Sequence, residues 1–253
     1  MKNKLIVFAL IFISNIAIAQ NNFQGFAIYK FNERSTKLSV KNNPNVSVEA
    51  LKKIEDHMNE KSEKKFTLTF NSFESLYSDE EKNAKKNKFE LITRCGNEGD
   101  LYKNIKENRF LVENEFMGDT ILIQDLLPIW NWELLNETKI IEGYKCFKAK
   151  AIVKGNILKE NNCKQSIIND SVLTKETELF CWYASEIPIS QGPAKFYGLP
   201  GLILEVNYDD TNILCLKVVP NSKEKFDIKI PKKGTLVSQK EFEAIKIDRI
   251  PQN

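Results

Sequence analysis

Apolar and polar residues alternate with a period of two through most of this chain, and turn residues interrupt the alternation at short intervals. Such a pattern predicts half-buried strands over residues 23–31, 65–71, 88–94, 101–105, 109–115, 120–124, 132–136, 145–153, 179–184, 202–206, 213–219 and 226–230. Glu107-Asn108, Met117-Gly118-Asp119 and the cluster Asp209-Asp210-Thr211-Asn212 read as hairpin turns. Helical spacing occurs in two places. Val48, Leu51, Ile54 and Met58 repeat along residues 47–61 behind Ser47 as N-cap, and Ser238 caps a short run containing Phe242 and Ile245. Short connections favour antiparallel pairing, and a sheet of about ten strands rarely stays open and flat. The expected fold is mainly β: one large antiparallel curved sheet, half-barrel or sandwich, with one or two short helices.

The pattern changes at the N-terminus. Lys2 and Lys4 precede an apolar run over residues 5–13, and Ala17-Ile18-Ala19 then forms a small-residue cleavage site before Gln20. This reads as a signal peptide over residues 1–19, too short to span a bilayer. No cysteine follows the cleavage point, so a lipid anchor is not expected, and no later stretch reaches spanning length. The expectation is an exported protein, periplasmic or extracellular, with residues 20–253 as one β-rich domain carrying a polar insertion at 154–177.

Charge then says little about partners. The 37 Lys and Arg against 34 Asp and Glu give +3. Removing Lys2 and Lys4 with the signal leaves +1, so nothing argues for nucleic acid. Ample apolar residues, including 16 Phe, make disulfides unnecessary for a core. The five cysteines are an odd number in an exported chain, and none forms a C-x-x-C pair. Strand parity places Cys146, Cys181 and Cys215 on one mixed face of the sheet. These three are the expected pool for a core disulfide, or else three small buried hydrophobes.

The most specific local pattern is Gly198-Leu199-Pro200-Gly201-Leu202-Ile203. Pro200 and Gly201 suit the two central positions of a type II turn, which would aim a strand whose Leu202, Leu204 and Val206 share one face. A backbone opened there for a ligand is the alternative. Together with Trp182-Tyr183, Ile187-Pro188, Gly192-Pro193 and Gly143-Tyr144-Lys145-Cys146, this stretch resembles the GLPGLI family of exported Bacteroidetes proteins, best over residues 139–206. The resemblance implies no activity and no catalytic residue.

Candidate chemistry is correspondingly sparse. His57, the only histidine, lacks a marked partner for a triad or a zinc site. Glu186 and Glu205 are the one carboxylate pair worth weighing for a hydrolase, and Asp209-Asp210 reads as a turn before it reads as a calcium loop. The connection from 186 to 198 is rigid and apolar, so it should pack over the sheet as a seal, a lid or a docking surface. Tentative binding residues are therefore Trp182, Pro188, Gly192, Pro193, Phe196, Tyr197, Gly198, Leu199, Pro200 and Gly201, with Trp182 and Tyr197 as a shared pocket wall. No metal and no cofactor is expected. The leading expectation is a non-enzymatic binding or scaffold protein that shelters an apolar small molecule. A docking partner for an outer-membrane assembly and a carboxylate-dependent hydrolase follow.

Overall fold

The computed structural model describes residues 23–33, 63–80, 99–154, 176–209, 211–222 and 227–249. Twelve strands form one sheet: β1 (Gln24–Glu33), β2 (Glu63–Asn71), β3 (Glu74–Asp79), β4 (Leu101–Asn104), β5 (Arg109–Phe116), β6 (Asp119–Leu126), β7 (Glu133–Ile141), β8 (Tyr144–Lys154), β9 (Glu176–Ala184), β10 (Leu202–Tyr208), β11 (Thr211–Pro220) and β12 (Thr235–Val237). One helix, α1 (Gln239–Arg249), follows among the described residues. The strand order is β12-β6-β5-β4-β3-β2-β1-β11-β10-β9-β8-β7. Every pair is antiparallel except β12 with β6.

Chain length requires this sheet to curl. β6 and β7 stand ten strand-to-strand steps apart, about 48 Å in a flat sheet. The segment 127–132 joins them, and the seven peptide units from Leu126 to Glu133 reach at most about 25 Å. The two sides must therefore bend towards each other. They do not hydrogen-bond, so the sheet stays open. Register slips at Ile28/Tyr29 and at Ile203/Glu205 mark bulges of the kind that bend strands.

The inner face carries the main core. Ala27, Tyr29, Leu68, Phe70, Leu179, Cys181, Val206 and Ile213 are buried there, with Phe66 stacked on Tyr77 at 4.7 Å. A second cluster of Phe110, Val112, Phe116, Ile121 and Ile123 is capped by Phe242 of α1. α1 forms as the sequence predicts: the Ser238 hydroxyl accepts from the Glu241 N–H, and the Glu241 carboxylate accepts from the Ser238 N–H. The predicted turn at Met117-Gly118-Asp119 also matches, and a further hairpin turn falls at Glu142-Gly143 between β7 and β8. Met117 and Gly118 have φ of 50° and 91°, Glu142 and Gly143 have 49° and 81°, as a type I′ turn requires.

Three expectations need correction. β3 was not anticipated, because Tyr77 is its one large inward apolar residue between Ser75 and Asp79. Residues 227–230 are not a strand; Ile228 packs on Tyr102, Leu111 and Leu122 of the sheet's other face. In β10, residues 202–206 are all buried, since the bulge breaks the strict alternation of Leu202, Leu204 and Val206. The predicted strand at 88–94, the helix at 47–61, the signal segment, His57 and residues 155–175 of the insertion lie outside the described residues, the ends of the insertion belonging to β8 and β9. Among the described residues no helix is long and apolar enough to cross a membrane, which does not bear on crossing by strands.

Candidate functional site: the loop over the inner face

The long connection from β9 to β10, residues 185–201, folds back into the curl of the sheet. Ile187, Ile189, Phe196 and Leu199 are buried in the main core. Two N–H groups re-enter the strand pattern: Leu202 donates to the Ile187 carbonyl at 3.1 Å and Ile203 to the Gln191 carbonyl at 3.0 Å. The Phe196 ring lies 5.0 Å from Trp130, which stacks on Trp132 at 5.7 Å. Both indoles donate to the loop backbone, Trp130 to Lys195 O at 3.1 Å and Trp132 to Tyr197 O at 2.9 Å. In return the Tyr197 hydroxyl donates to Pro128 O at 3.0 Å. The 127–132 segment and the loop thus fasten each other.

The strongest fastening comes from β4. Lys103 is fully buried, and its ammonium donates to the carbonyls of Gly192, Ala194 and Phe196 at 2.8, 2.9 and 2.8 Å. Three donors meet three acceptors, so the group is saturated. Burial pushes its pKa down to about 7. Beside it, the Ser75 hydroxyl donates to Gln191 Oε1 at 3.0 Å, and Gln191 Nε2 is buried without a protein acceptor. Sequence reading missed Lys103, Trp130, Trp132 and Gln191. A signal existed: Lys103 occupies the inward position between Leu101 and Ile105, where alternation calls for an apolar residue.

The signature residues shape this loop. Gly198 has φ +93°, a left-handed value that favours glycine. Gly201 departs from the expected type II turn, which wants φ near +80°. Its φ is +158°, and its N–H donates to Leu199 O at 2.8 Å across Pro200, a three-residue turn. Glycine is required there for closeness: a Cβ would stand 2.3 Å from the Ala184 carbonyl oxygen. Gly192 is similar, with Ile203 Cβ at 2.9 Å from an added Cβ. Gly192 and Pro193 are buried, whereas Pro188, Gly198 and Pro200 are exposed. The close neighbours of Gly192 and Gly201 are therefore the protein's own atoms.

A family model described as "Protein of unknown function (Porph_ging)" matches residues 132–205. That span runs from Trp132 through the loop and into β10, so it contains most of the fastened unit. No curated protein matches this chain. Among solved structures, PNGF-II in P21 and C2 crystal forms is similar in fold, with TM-score 0.53 for both and 16% and 15% identity. Each likeness covers 89% of this chain and 33% of that one, so this chain spans about a third of PNGF-II's length. The Mycobacterium tuberculosis lipoprotein LppX is matched at TM-score 0.30 and 10% identity, over 87% of this chain and 97% of LppX.

The remaining candidates separate. Trp182 pairs with Lys148 and Glu205 on the outer face, opposite Tyr183 and Cys181. Lys139 lies 4.3 Å and Lys148 5.6 Å from its ring centre. Tyr197 packs with the inner Phe110 cluster, so the two do not form one pocket wall. Glu205 is nearly buried, and both its oxygens are occupied: Lys139 binds one, while Asn207 donates to the other at 2.8 Å. Glu186 is exposed and accepts from the Lys145 N–H at 3.4 Å.

The three cysteines sit in one core. Cys146, Cys181 and Cys215 are all buried in the main cluster, with Cys146 aligned with Ala184 of β9 and Cys215 with Tyr29 of β1. All three are free thiols. Cys181 and Cys215 sit on strands two steps apart, about 10 Å, beyond disulfide reach. Burial pushes Cys146 up to about 11 and Cys215 to about 12, and raises Cys181 as well. Among the described residues no group of three His, Cys, Asp or Glu could hold a metal ion.

Proposed function

We propose that this chain is an exported, non-enzymatic binding protein of the GLPGLI type, whose curled sheet shelters an apolar ligand beneath the 185–201 loop. The observation that carries this reading is how the loop is held. Its apolar side chains, Ile189, Phe196 and Leu199, fill the inner face, while its backbone is fastened by discrete polar bonds from Lys103, Trp130 and Trp132. Bonds of this kind break and re-form individually, and a loop lifted in that way would uncover the apolar inner face that Ile189, Phe196 and Leu199 now cover, a surface that suits an acyl or sterol body. The outer-face Glu205 supports the non-enzymatic part, since a carboxylate with both oxygens bonded is poorly placed to exchange a proton with a substrate. Export rests on the sequence of the first 19 residues.

Native mass spectrometry on protein released gently from its own envelope tests the reading. A stoichiometric adduct that extracts into organic solvent is expected. A bare mass, together with no uptake of a fluorescent fatty-acid probe by the purified protein, would remove the carrier function.

A further inference from the structure

One row across the inner face breaks its apolar character. Aligned on β2, β3, β4 and β5 are Phe70, Ser75, Lys103 and Phe110, all buried, so two polar residues sit between two aromatic rings. Lysine is almost never fully buried without an opposite charge. Here the partners of the ammonium are the carbonyls of Gly192, Ala194 and Phe196, with no carboxylate among them. Gln191 carries a second deficit. Its Oε1 accepts from Ser75, but its buried Nε2 has no protein acceptor, and an unpaired buried donor calls for a physical reason. Both deficits have the same sign: donors are in excess, while acceptors and negative charge are lacking.

The loop fills this place with its own backbone. Residues 192–197 form a closed tongue, with the Gly198 N–H donating to Ser190 O at 3.2 Å across its neck and the Phe196 N–H to Pro193 O at 3.0 Å within it. Three carbonyl oxygens of the tongue converge on one ammonium, and the Phe196 ring enters the core beside them. An oxygen-rich end joined to an apolar body is the outline of an amphiphile. Gln191 is held separately, its side chain by Ser75 and its carbonyl by the Ile203 N–H at 3.0 Å. Displacing 192–197 would therefore free all three N–H groups of Lys103 and leave Gln191 Nε2 where it is. Pairing of Ser75 with Lys103 keeps the two donors in one place.

We propose that Lys103 and Gln191 form the head-group site for a fatty-acid-like ligand, whose carboxylate replaces the carbonyls of 192–197 and whose chain replaces the Phe196 ring. A carboxylate brings the negative charge that the three carbonyls lack, and its two oxygens suit one ammonium and one amide N–H together. One cation matches one negative charge, which favours a carboxylate over a phosphate dianion. The site names the ligand class of the carrier function proposed above and rests on that reading.

Paired probes test it: a fluorescent long-chain fatty acid and its methyl ester, which keeps the apolar body and removes the charge. The wild-type protein is expected to bind the acid at least about tenfold more tightly than the ester. On binding the acid, amides of 192–197 should lose protection against hydrogen exchange, while those of β8 and β9 keep theirs. Lys103→Met should bring acid and ester to equal affinity. Gln191→Leu leaves every Lys103 bond in place and serves if the methionine variant does not fold; it should weaken the acid about fivefold without moving the ester. Equal affinity for acid and ester in the wild type would overturn the head-group site and leave the carrier reading standing. An acid preference untouched by either substitution would overturn it too, as would acid bound with 192–197 still protected. Uptake of neither probe would remove the carrier reading, and the head-group site with it.

Discussion

Gly198 and Gly201 stand three residues apart and carry different constraints. At Gly198 an added Cβ would have room, its nearest neighbour being Trp132 Nε1 at 3.5 Å, so Gly198→Ala costs only the left-handed backbone, about 1–2 kcal/mol. At Gly201 the Cβ would meet backbone of β9 at 2.3 Å, which cannot step aside without unpairing Leu202 from Ala184. Gly201→Ala should lower the urea midpoint more than Gly198→Ala does, by about 2–3 kcal/mol or more. Equal losses would mean that the strand junction is not as tight as described. Lys103 yields a second expectation at this scale. A depressed lysine pKa contributes stability that is fully present above the unfolded value and is lost as pH falls towards 7. The Lys103 contribution to stability should therefore rise by about 2 kcal/mol between pH 7 and pH 9. From about pH 8 upward the raised pKa values of Cys146, Cys181 and Cys215 act in the opposite direction, joined above pH 9 by Tyr29 and Tyr77, because the unfolded chain ionises these groups first. Denaturation of Lys103→Met across the same range should be flatter by that amount, and a parallel curve would refute the assignment.

Strand by strand, the sheet shows what alternation reveals and what it hides. β8 and β9 were legible because their inward positions hold Ala149, Ala151 and Val153, and Leu179, Cys181 and Tyr183, at every second residue. In β11, by contrast, the slip opposite Ile28/Tyr29 leaves Ile213 and Cys215 buried and Leu216 exposed. β3 was hidden because Ser75 faces inward to bond Gln191, a partner 116 residues away that no local pattern reports. β12 was hidden because three residues are too few to show a period, and it pairs parallel with a strand far back in the chain. The apolar character of the 185–201 loop was readable, and so was the need for glycine. Its fastening was not, since Lys103, Trp130 and Trp132 arrive from other elements. Burial of the cysteines has a chemical consequence. Protonated and buried, Cys146, Cys181 and Cys215 should resist maleimide in the native protein and react in full once it is denatured. Peptide mapping that found Cys181 and Cys215 bridged to each other would require a different sheet.

For the molecule as a whole, the question is what keeps a twelve-strand sheet curled when its two sides share no hydrogen bonds. Residues 127–132 supply a covalent tie, and the loop supplies a non-covalent one through Phe196, the paired indoles and Lys103. The two have different costs when altered. Lengthening a chain segment costs entropy only slowly, about 0.6 kcal/mol for each doubling of its length. Losing the packed wedge between the sides would expose the inner core outright. Inserting six Gly and Ser residues after Ile129, which is 85% exposed, should therefore lower stability by no more than about 1 kcal/mol. The radius of gyration by small-angle scattering should change by no more than the added residues account for. Removing the wedge, by Phe196→Ala with Trp130→Ala, should cost several times as much, since each truncation of a buried aromatic costs about 3–5 kcal/mol and the half-buried indole somewhat less. If the insertion instead expands the molecule while the double truncation leaves it compact, chain length and not the loop sets the curl. The loop would then only cover the inner face, and access to a ligand would depend on the loop's own side chains alone.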